Sequence, residues 1–159
     1  MFMIQRIQTI YILLFAILLF SALFFPFAVI SNGPDIYSLY PASGWEISNG
    51  GIDLGNSVYY IGYLVAISFS ILMLVNYKKR TKQLRYGKIC YLIVVITLVY
   101  MFNVIDVKSE ILIENDVENL SVFFSFSMYM LVASLPIMFL ANRAIKKDEK
   151  LVRSLDRLR

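Results

Sequence analysis

Four long apolar runs constrain this chain more than any other feature. A helix that crosses a bilayer needs about 20 consecutive, mostly apolar residues, and each run approaches that length without a Lys or Arg. The runs cover residues 9–30, 58–77, 89–107 and 122–141. We therefore expect an all-α membrane fold, a bundle of four transmembrane helices. These runs divide the chain into a membrane domain at residues 1–142 and a tail at residues 143–159.

The composition agrees with lipid as the surrounding solvent. Hydrophobic residues make up 59% of the 159 residues and charged residues 16%, whereas a soluble domain has about 45–50% and about 25%. Histidine is absent and Cys90 is the single cysteine. These absences remove the commonest general base and metal ligand and any internal disulfide. We predict no catalytic residue, no metal site and no cofactor, and therefore a protein that is not an enzyme.

The basic residues predict the orientation. Fourteen of the 15 Lys and Arg residues precede the first run, separate the second from the third, or follow the fourth. Lys108 is the exception, and the two remaining loops are acidic. Because Lys and Arg stay on the cytoplasmic side, we expect both termini in the cytoplasm. The first run exceeds the about 7–15 apolar residues of a signal peptide, so we expect an uncleaved anchor.

Two basic segments are candidates for contact with anionic lipid headgroups. A basic residue beside the membrane surface contributes about 1 kcal/mol to such attraction. A nucleic-acid partner is not predicted, because topology and headgroup contact account for the charge. The predicted headgroup contacts are Lys78, Lys79, Arg80, Lys82, Arg85, Lys146, Lys147 and Lys150.

The first acidic loop, residues 31–56, predicts a small extracytoplasmic β-hairpin. "WEIS" and "GIDL" flank Asn49 and Gly50. Asn-Gly between short apolar/polar alternations is the strongest local hairpin signal, because both residues tolerate positive φ. Trp45, the only tryptophan, would anchor the hairpin on the helix ends. It would serve either as a lid over those ends or as a docking surface.

Asp106 and Asn103 form a candidate intramembrane polar site. They lie three residues apart near the end of the third run, which places them on one helical face. Ionisable residues within a span are default functional candidates. Asp106 is either an interfacial residue that reaches water or a proton or ion site. The second possibility would make the protein a small transporter or channel component.

The tail combines charge with a helical stripe of apolar residues. No Gly or Pro follows Pro136, so the last helix is expected to continue into the cytoplasm as an amphipathic extension. Leu151, Leu155 and Leu158 recur at helical spacing among basic residues. Such a segment lies on a membrane or on a partner. Together with Arg6 in the N-terminal "QRIQ", these leucines are candidate partner-docking residues.

Both ends of the chain resemble one protein family. The stretches are "MIQRIQTIYILL", residues 3–14, and "LANRAIKKDEKLVRSLDRLR", residues 140–159. They resemble an uncharacterised family of four-helix inner-membrane proteins typical of Bacteroidota, catalogued as a domain of unknown function. The resemblance implies a multi-pass protein of the bacterial inner membrane. It implies no activity, cofactor or catalytic residue.

These observations predict a non-catalytic membrane protein. The expected function is that of an accessory or assembly subunit of a larger membrane complex, docked through its cytoplasmic face. Its expected partners are the lipid bilayer and other membrane or cytoplasmic proteins. A small transporter or channel component that uses Asp106 and Asn103 is the alternative.

Overall fold

Four helices and five strands make up the computed structural model of the protein. It describes residues 2–32, 35–48, 52–53, 59–77, 79–114 and 120–156, without the side chains of residues 2–6, 32, 52–53, 114 and 151–156. In chain order the elements are α1 (Phe2–Ala22), β1 (Ala28–Asn32), β2 (Asp35–Tyr40), β3 (Gly44–Ile47), β4 (Ile52–Asp53), α2 (Ile61–Val75), α3 (Arg80–Glu114), β5 (Leu120–Phe124) and α4 (Phe126–Asp156).

The helix α1 ends four residues before Pro26. A proline in a helix interior lacks the backbone N–H and clashes with the preceding turn, so the apolar run cannot continue as one helix. Phe27 then turns the chain into the sheet, because its N–H donates to the carbonyl of Leu39 at 2.7 Å. Its own carbonyl accepts from the N–H of Ser125 at 3.0 Å. The last residues of the first apolar run therefore form β1.

The five strands form one antiparallel sheet in the order β4-β3-β2-β1-β5. The β1–β5 pairing joins distant parts of the chain, with Ile30 opposite Val122. A tight turn leads from β2 into β3, and Gly44 takes φ 92° there, a conformation that favours glycine. Ala28, Ile30, Leu39 and Trp45 are buried, so one face of the sheet covers the core.

Each helix packs against two others. The contacting pairs are α1 with α4, α1 with α2, α2 with α3, and α3 with α4. Gly62 brings α2 close to α3, because a Cβ at this position would overlap the side chain of Thr97. Gly87 does the same for α3 and α4 against Asn142. The largest fully buried side chains between the helices include Phe15, Leu19, Tyr63, Met73, Met101, Leu131, Met138 and Ile145.

The prediction of four membrane-spanning helices is wrong. Among the described residues, only Arg80–Ile113 and Phe126–Lys150 are long and apolar enough to cross a membrane. The apolar part of α1, Ile7–Ala22, and that of α2, Ile61–Val75, are shorter. At about 1.5 Å per residue, each covers roughly 22–24 Å of a hydrocarbon core about 30 Å thick. The end of the first apolar run forms β1 instead of helix, and the start of the fourth run forms β5. In the second run α2 covers only Ile61–Val75.

The all-α class and the isolated hairpin are corrected as well. The predicted pairing around residues 49–51 exists, with Trp45 opposite Asp53 and Glu46 opposite Ile52. The turn itself, with Asn49 and Gly50, lies outside the described residues. This pairing is the edge of a five-stranded sheet. A two-stranded hairpin is marginal in isolation, and pairing with three further strands supplies the missing support.

Candidate functional site

An ion pair holds the ends of α3 and α4 together. Nε of Arg80, the first residue of α3, lies 2.8 Å from Oδ2 of Asp148 on α4. The Asp148 side chain is 5% exposed and that of Arg80 22%. The contact is electrostatic without hydrogen-bond geometry, because Oδ2 of Asp148 has no hydrogen-bond partner among the described residues. The pair therefore ties the start of one long helix to the far end of the other.

Amide side chains with buried polar atoms lie near the same ends of the helices. Gln8 on α1 donates from Nε2 to the carbonyl of Ala144 at 3.2 Å, which ties the start of α1 to α4. Gln83 on α3 is 3% exposed. Within the described part of the chain, Oε1 of Gln83 and Oδ1 of Asn142 accept no hydrogen bond. Three helices thus meet here through polar groups.

The outer surface at this place is strongly basic. We name as the basic end residues 79–88 of the α2–α3 turn and α3, together with residues 143–150 of α4. Eight basic side chains here are exposed, and none has an ion-pair partner among the residues that the structure describes. They are Lys79, Lys82, Arg85, Lys88, Arg143, Lys146, Lys147 and Lys150.

The predicted headgroup contacts are found mainly on this surface. Six of the eight are exposed side chains of the basic end. Arg80 instead faces Asp148, so its charge is partly neutralised within the chain. Lys78 lies outside the described residues.

The side chains of the predicted docking residues lie outside the part of the chain that the structure describes. Arg6 belongs to α1, and Leu151 and Leu155 belong to α4, which runs unbroken to Asp156. The side chains of these three residues lie outside the described set, and so does Leu158 as a whole. Their role stays a prediction.

Asn103 and Asp106 lie on the outer surface of α3. Both side chains are exposed. Asn103 donates from Nδ2 to the carbonyl of Val99 one turn earlier, at 2.8 Å, which satisfies its amide locally. The structure therefore places this predicted site on the helix surface and not in the packed interior between the helices.

Sequence reasoning missed the buried polar residues Gln8, Gln83 and Asp148. A signal for Asp148 existed, because it continues the spacing of Met138, Ala141 and Ile145 along α4, and these three are fully buried. Residues at such intervals share one helical face. An acid on an apolar face needs a partner, which points to a cation on a neighbouring helix. Nothing in the sequence identified Arg80 as that cation among the basic residues around it.

At the opposite end, the sheet contacts α3 through Lys108. Its ammonium lies 5.7 Å from the ring centroid of Tyr37 and 5.8 Å from that of Trp45. Cation–π contacts of this kind contribute about 0.5–2 kcal/mol. Lys108, the one basic residue outside the three basic segments of the sequence, thus joins α3 to the sheet. The sheet and the basic end lie at opposite ends of α3.

Comparison with known proteins identifies the family. A family model matches residues 4–158, a range that includes most of both end segments that resembled a family of unknown function. That resemblance is thereby confirmed. A search of curated proteins finds no match. The chain belongs to the family described as Domain of unknown function (DUF4293).

Proposed function

We propose that this protein is a non-catalytic, multi-pass protein of a bacterial inner membrane, and an accessory or assembly subunit of a larger membrane complex. In this proposal α3 and α4 cross the bilayer, and the basic end faces the cytoplasm. Partner proteins dock at the basic end and at the tail that continues from it. The observation that carries the proposal is the basic end itself, a cationic surface where an ion pair and a hydrogen bond join three helices.

The apolar surface of the helices supports membrane residence. Only 28% of the apolar stretch of each long helix is buried within the chain. Large apolar side chains point outward along their length, among them Leu92, Ile96 and Val99 on α3 and Phe139 on α4. A soluble monomer rarely exposes a contiguous apolar patch larger than a few hundred Å². Lipid tails or other membrane helices would cover this surface.

The distribution of charge supports the orientation. The basic residues cluster where α3 begins and α4 continues past the membrane, and the sheet lies at the other end of both helices. Lys and Arg are retained on the cytoplasmic side of a membrane. The sheet would then lie outside the cytoplasm.

The junction of three helices supports docking. The ion pair between Arg80 and Asp148 and the bond from Gln8 to Ala144 hold α1, α3 and α4 in fixed relation. A partner would therefore meet a pre-organised surface, and pre-organisation lowers the entropic cost of binding. The eight cations that have no ion-pair partner among the described residues suit an acidic partner surface or an anionic membrane.

The transporter alternative depends on Asn103 and Asp106. Both are exposed on α3, so they would line a polar path only together with a second chain. The alternative stays a prediction, and no contact among the described residues favours it.

Co-purification tests the docking proposal. Burying one leucine contributes about 1.5–3 kcal/mol, so replacing Leu151, Leu155 and Leu158 with serine is expected to release a partner held by the tail. The variant and the wild type are purified in mild detergent, and the co-purifying proteins are compared by mass spectrometry.

A charge variant is the matched control for the serine variant. Changing Lys146, Lys147 and Lys150 to glutamine alters the same number of residues on the same helix, and a complex held by leucines would survive it. Equal recovery of the same proteins with wild type and with the serine variant would show that the tail does not dock a partner.

A further inference from the structure

A groove between α3 and α4 has the chemistry of a phospholipid site. It is lined by Leu84, Lys88 and Tyr91 of α3 and by Phe139, Asn142, Arg143 and Lys146 of α4, and its volume is about 450 Å³. Ligand pockets in proteins commonly have about 300–1,000 Å³. We call this cleft the basic groove.

The polarity of the basic groove changes along the helix axes. Lys88, Arg143 and Lys146 are exposed cations without an ion-pair partner in the described structure. Tyr91 and Phe139 lie on the side away from the basic end, since α3 runs away from that end and α4 runs toward it. Both are exposed, so the apolar part of the groove opens onto the outer surface of the helices.

We infer that the basic groove binds one anionic phospholipid, its phosphate among Lys88, Arg143 and Lys146 and an acyl chain against Tyr91 and Phe139. The proposal rests on the membrane residence proposed above. In the groove the cations lie toward the basic end, and the aromatic side chains lie toward the middle of the helices. A phospholipid has the same order, with its phosphate at the membrane surface and its acyl chains toward the middle of the bilayer. Phosphate attracts several cations at once, whereas an acidic peptide would leave the apolar part of the groove unfilled.

The close approach of α3 and α4 beside the groove explains why it lies between these two helices. Gly87 lies against Asn142, so α3 and α4 approach closely at this level. The larger side chains on either side then form the walls. Arg143 also borders a smaller groove between α1 and α4, of about 260 Å³, together with Lys147. Among the cations, Lys88 and Lys146 therefore line the basic groove and not the smaller one.

Titration with defined lipids tests the inference on the purified full chain in neutral detergent. Phosphatidylglycerol is expected to raise the melting temperature, whereas phosphatidylcholine and glycerol 3-phosphate are not. The double variant Lys88→Gln/Lys146→Gln should weaken the apparent affinity for phosphatidylglycerol at least about 100-fold, because two direct charge-assisted hydrogen bonds to the phosphate are lost. Its melting temperature without lipid should match that of the wild type.

The control removes the same charge outside the basic groove. Lys82→Gln/Lys147→Gln takes one exposed lysine from each of the same helices and should change the affinity less than about threefold, because diffuse attraction alone is affected. Equal loss in both double variants, or equal shifts with phosphatidylglycerol and phosphatidylcholine, would overturn the lipid site. An equal response to glycerol 3-phosphate would assign the groove to a soluble phosphate instead.

Fractionation of cell membranes separates the two proposals. A chain that stays in the membrane pellet but shows no preference for phosphatidylglycerol lacks the lipid site and retains the proposed membrane residence. A chain recovered without detergent in the soluble fraction would contradict both. If both proposals hold, the serine variant should lose the co-purifying proteins. It should still prefer phosphatidylglycerol to phosphatidylcholine.

Discussion

At the scale of single residues, the least expected feature is the charge inside the basic end. Asp148 is nearly buried among the helices, and the only cation paired with it in the described structure is Arg80. Burying charges costs free energy that a close opposite charge offsets only in part. A pair of this kind fixes the relative position of two helices more than it stabilises them.

The two partners of this ion pair should differ in their effect on stability. Arg80→Gln leaves the buried carboxylate without a cation, and breaking a buried pair in this way costs about 3–5 kcal/mol. Asp148→Asn leaves an arginine that is 22% exposed and can reach water, so its cost should be smaller. Thermal unfolding in detergent measures both. A larger loss for Asp148→Asn would show that the carboxylate has a stabilising role beyond this pair.

At the scale of elements, two pairs of helices pack closely because each has a glycine at the point of contact. Gly87 serves α3 and α4, where the neighbouring atom is the end of an asparagine side chain. Gly62 serves α2 and α3 and faces Thr97, whose hydroxyl donates to the carbonyl of Ile93 at 2.8 Å. A β-branched side chain has few alternative rotamers in a helix. The contact at Gly62 is therefore the less adaptable of the two.

Gly62→Ala should destabilise the protein through this contact. The added methyl group overlaps Thr97, and overpacking costs about 1–3 kcal/mol. In Thr97→Ala the space opens, so the double variant Gly62→Ala/Thr97→Ala should regain most of the lost stability. A double-mutant cycle of melting temperatures measures the coupling. Additive effects of the two substitutions would contradict the predicted overlap.

At the scale of the whole molecule, the sheet closes the chain on itself. Pairing of β1 with β5 joins the segment after α1 to the segment before α4. The sheet lies at one end of the long helices and the basic end at the other, which gives the molecule two chemically distinct ends. A membrane protein with two such ends would have one orientation.

Reporter fusions test that orientation. A reporter enzyme active only outside the cytoplasm is fused after Asp116, which follows α3, or after Arg159, which follows α4. If α3 and α4 each cross the membrane, the first fusion should be active and the second silent, because Lys and Arg stay in the cytoplasm. Fusions of equal expression that are both silent would contradict two crossings.

Hydropathy and charge along the sequence determined part of this structure. The third apolar run lies within α3, and most of the fourth lies within α4, the two helices long enough to cross a membrane. The separation of basic from acidic segments is visible in the sequence and is found again at opposite ends of these helices. The strand pairing between Trp45 and Asp53 was predicted from a local turn signal, since it depends on residues close together in the chain.

Only the tertiary structure decided where the apolar runs change from helix to strand. Residues such as Ala28, Val29 and Ile30 are equally apolar in a helix and in a strand, and short apolar runs do not distinguish the two. Their partner strand, β5, is about 90 residues away in the chain and cannot be recognised from local pattern. The same holds for the ion pair of Arg80 with Asp148 and for the basic groove. Both combine residues of two helices, so their chemistry exists only once the helices are packed.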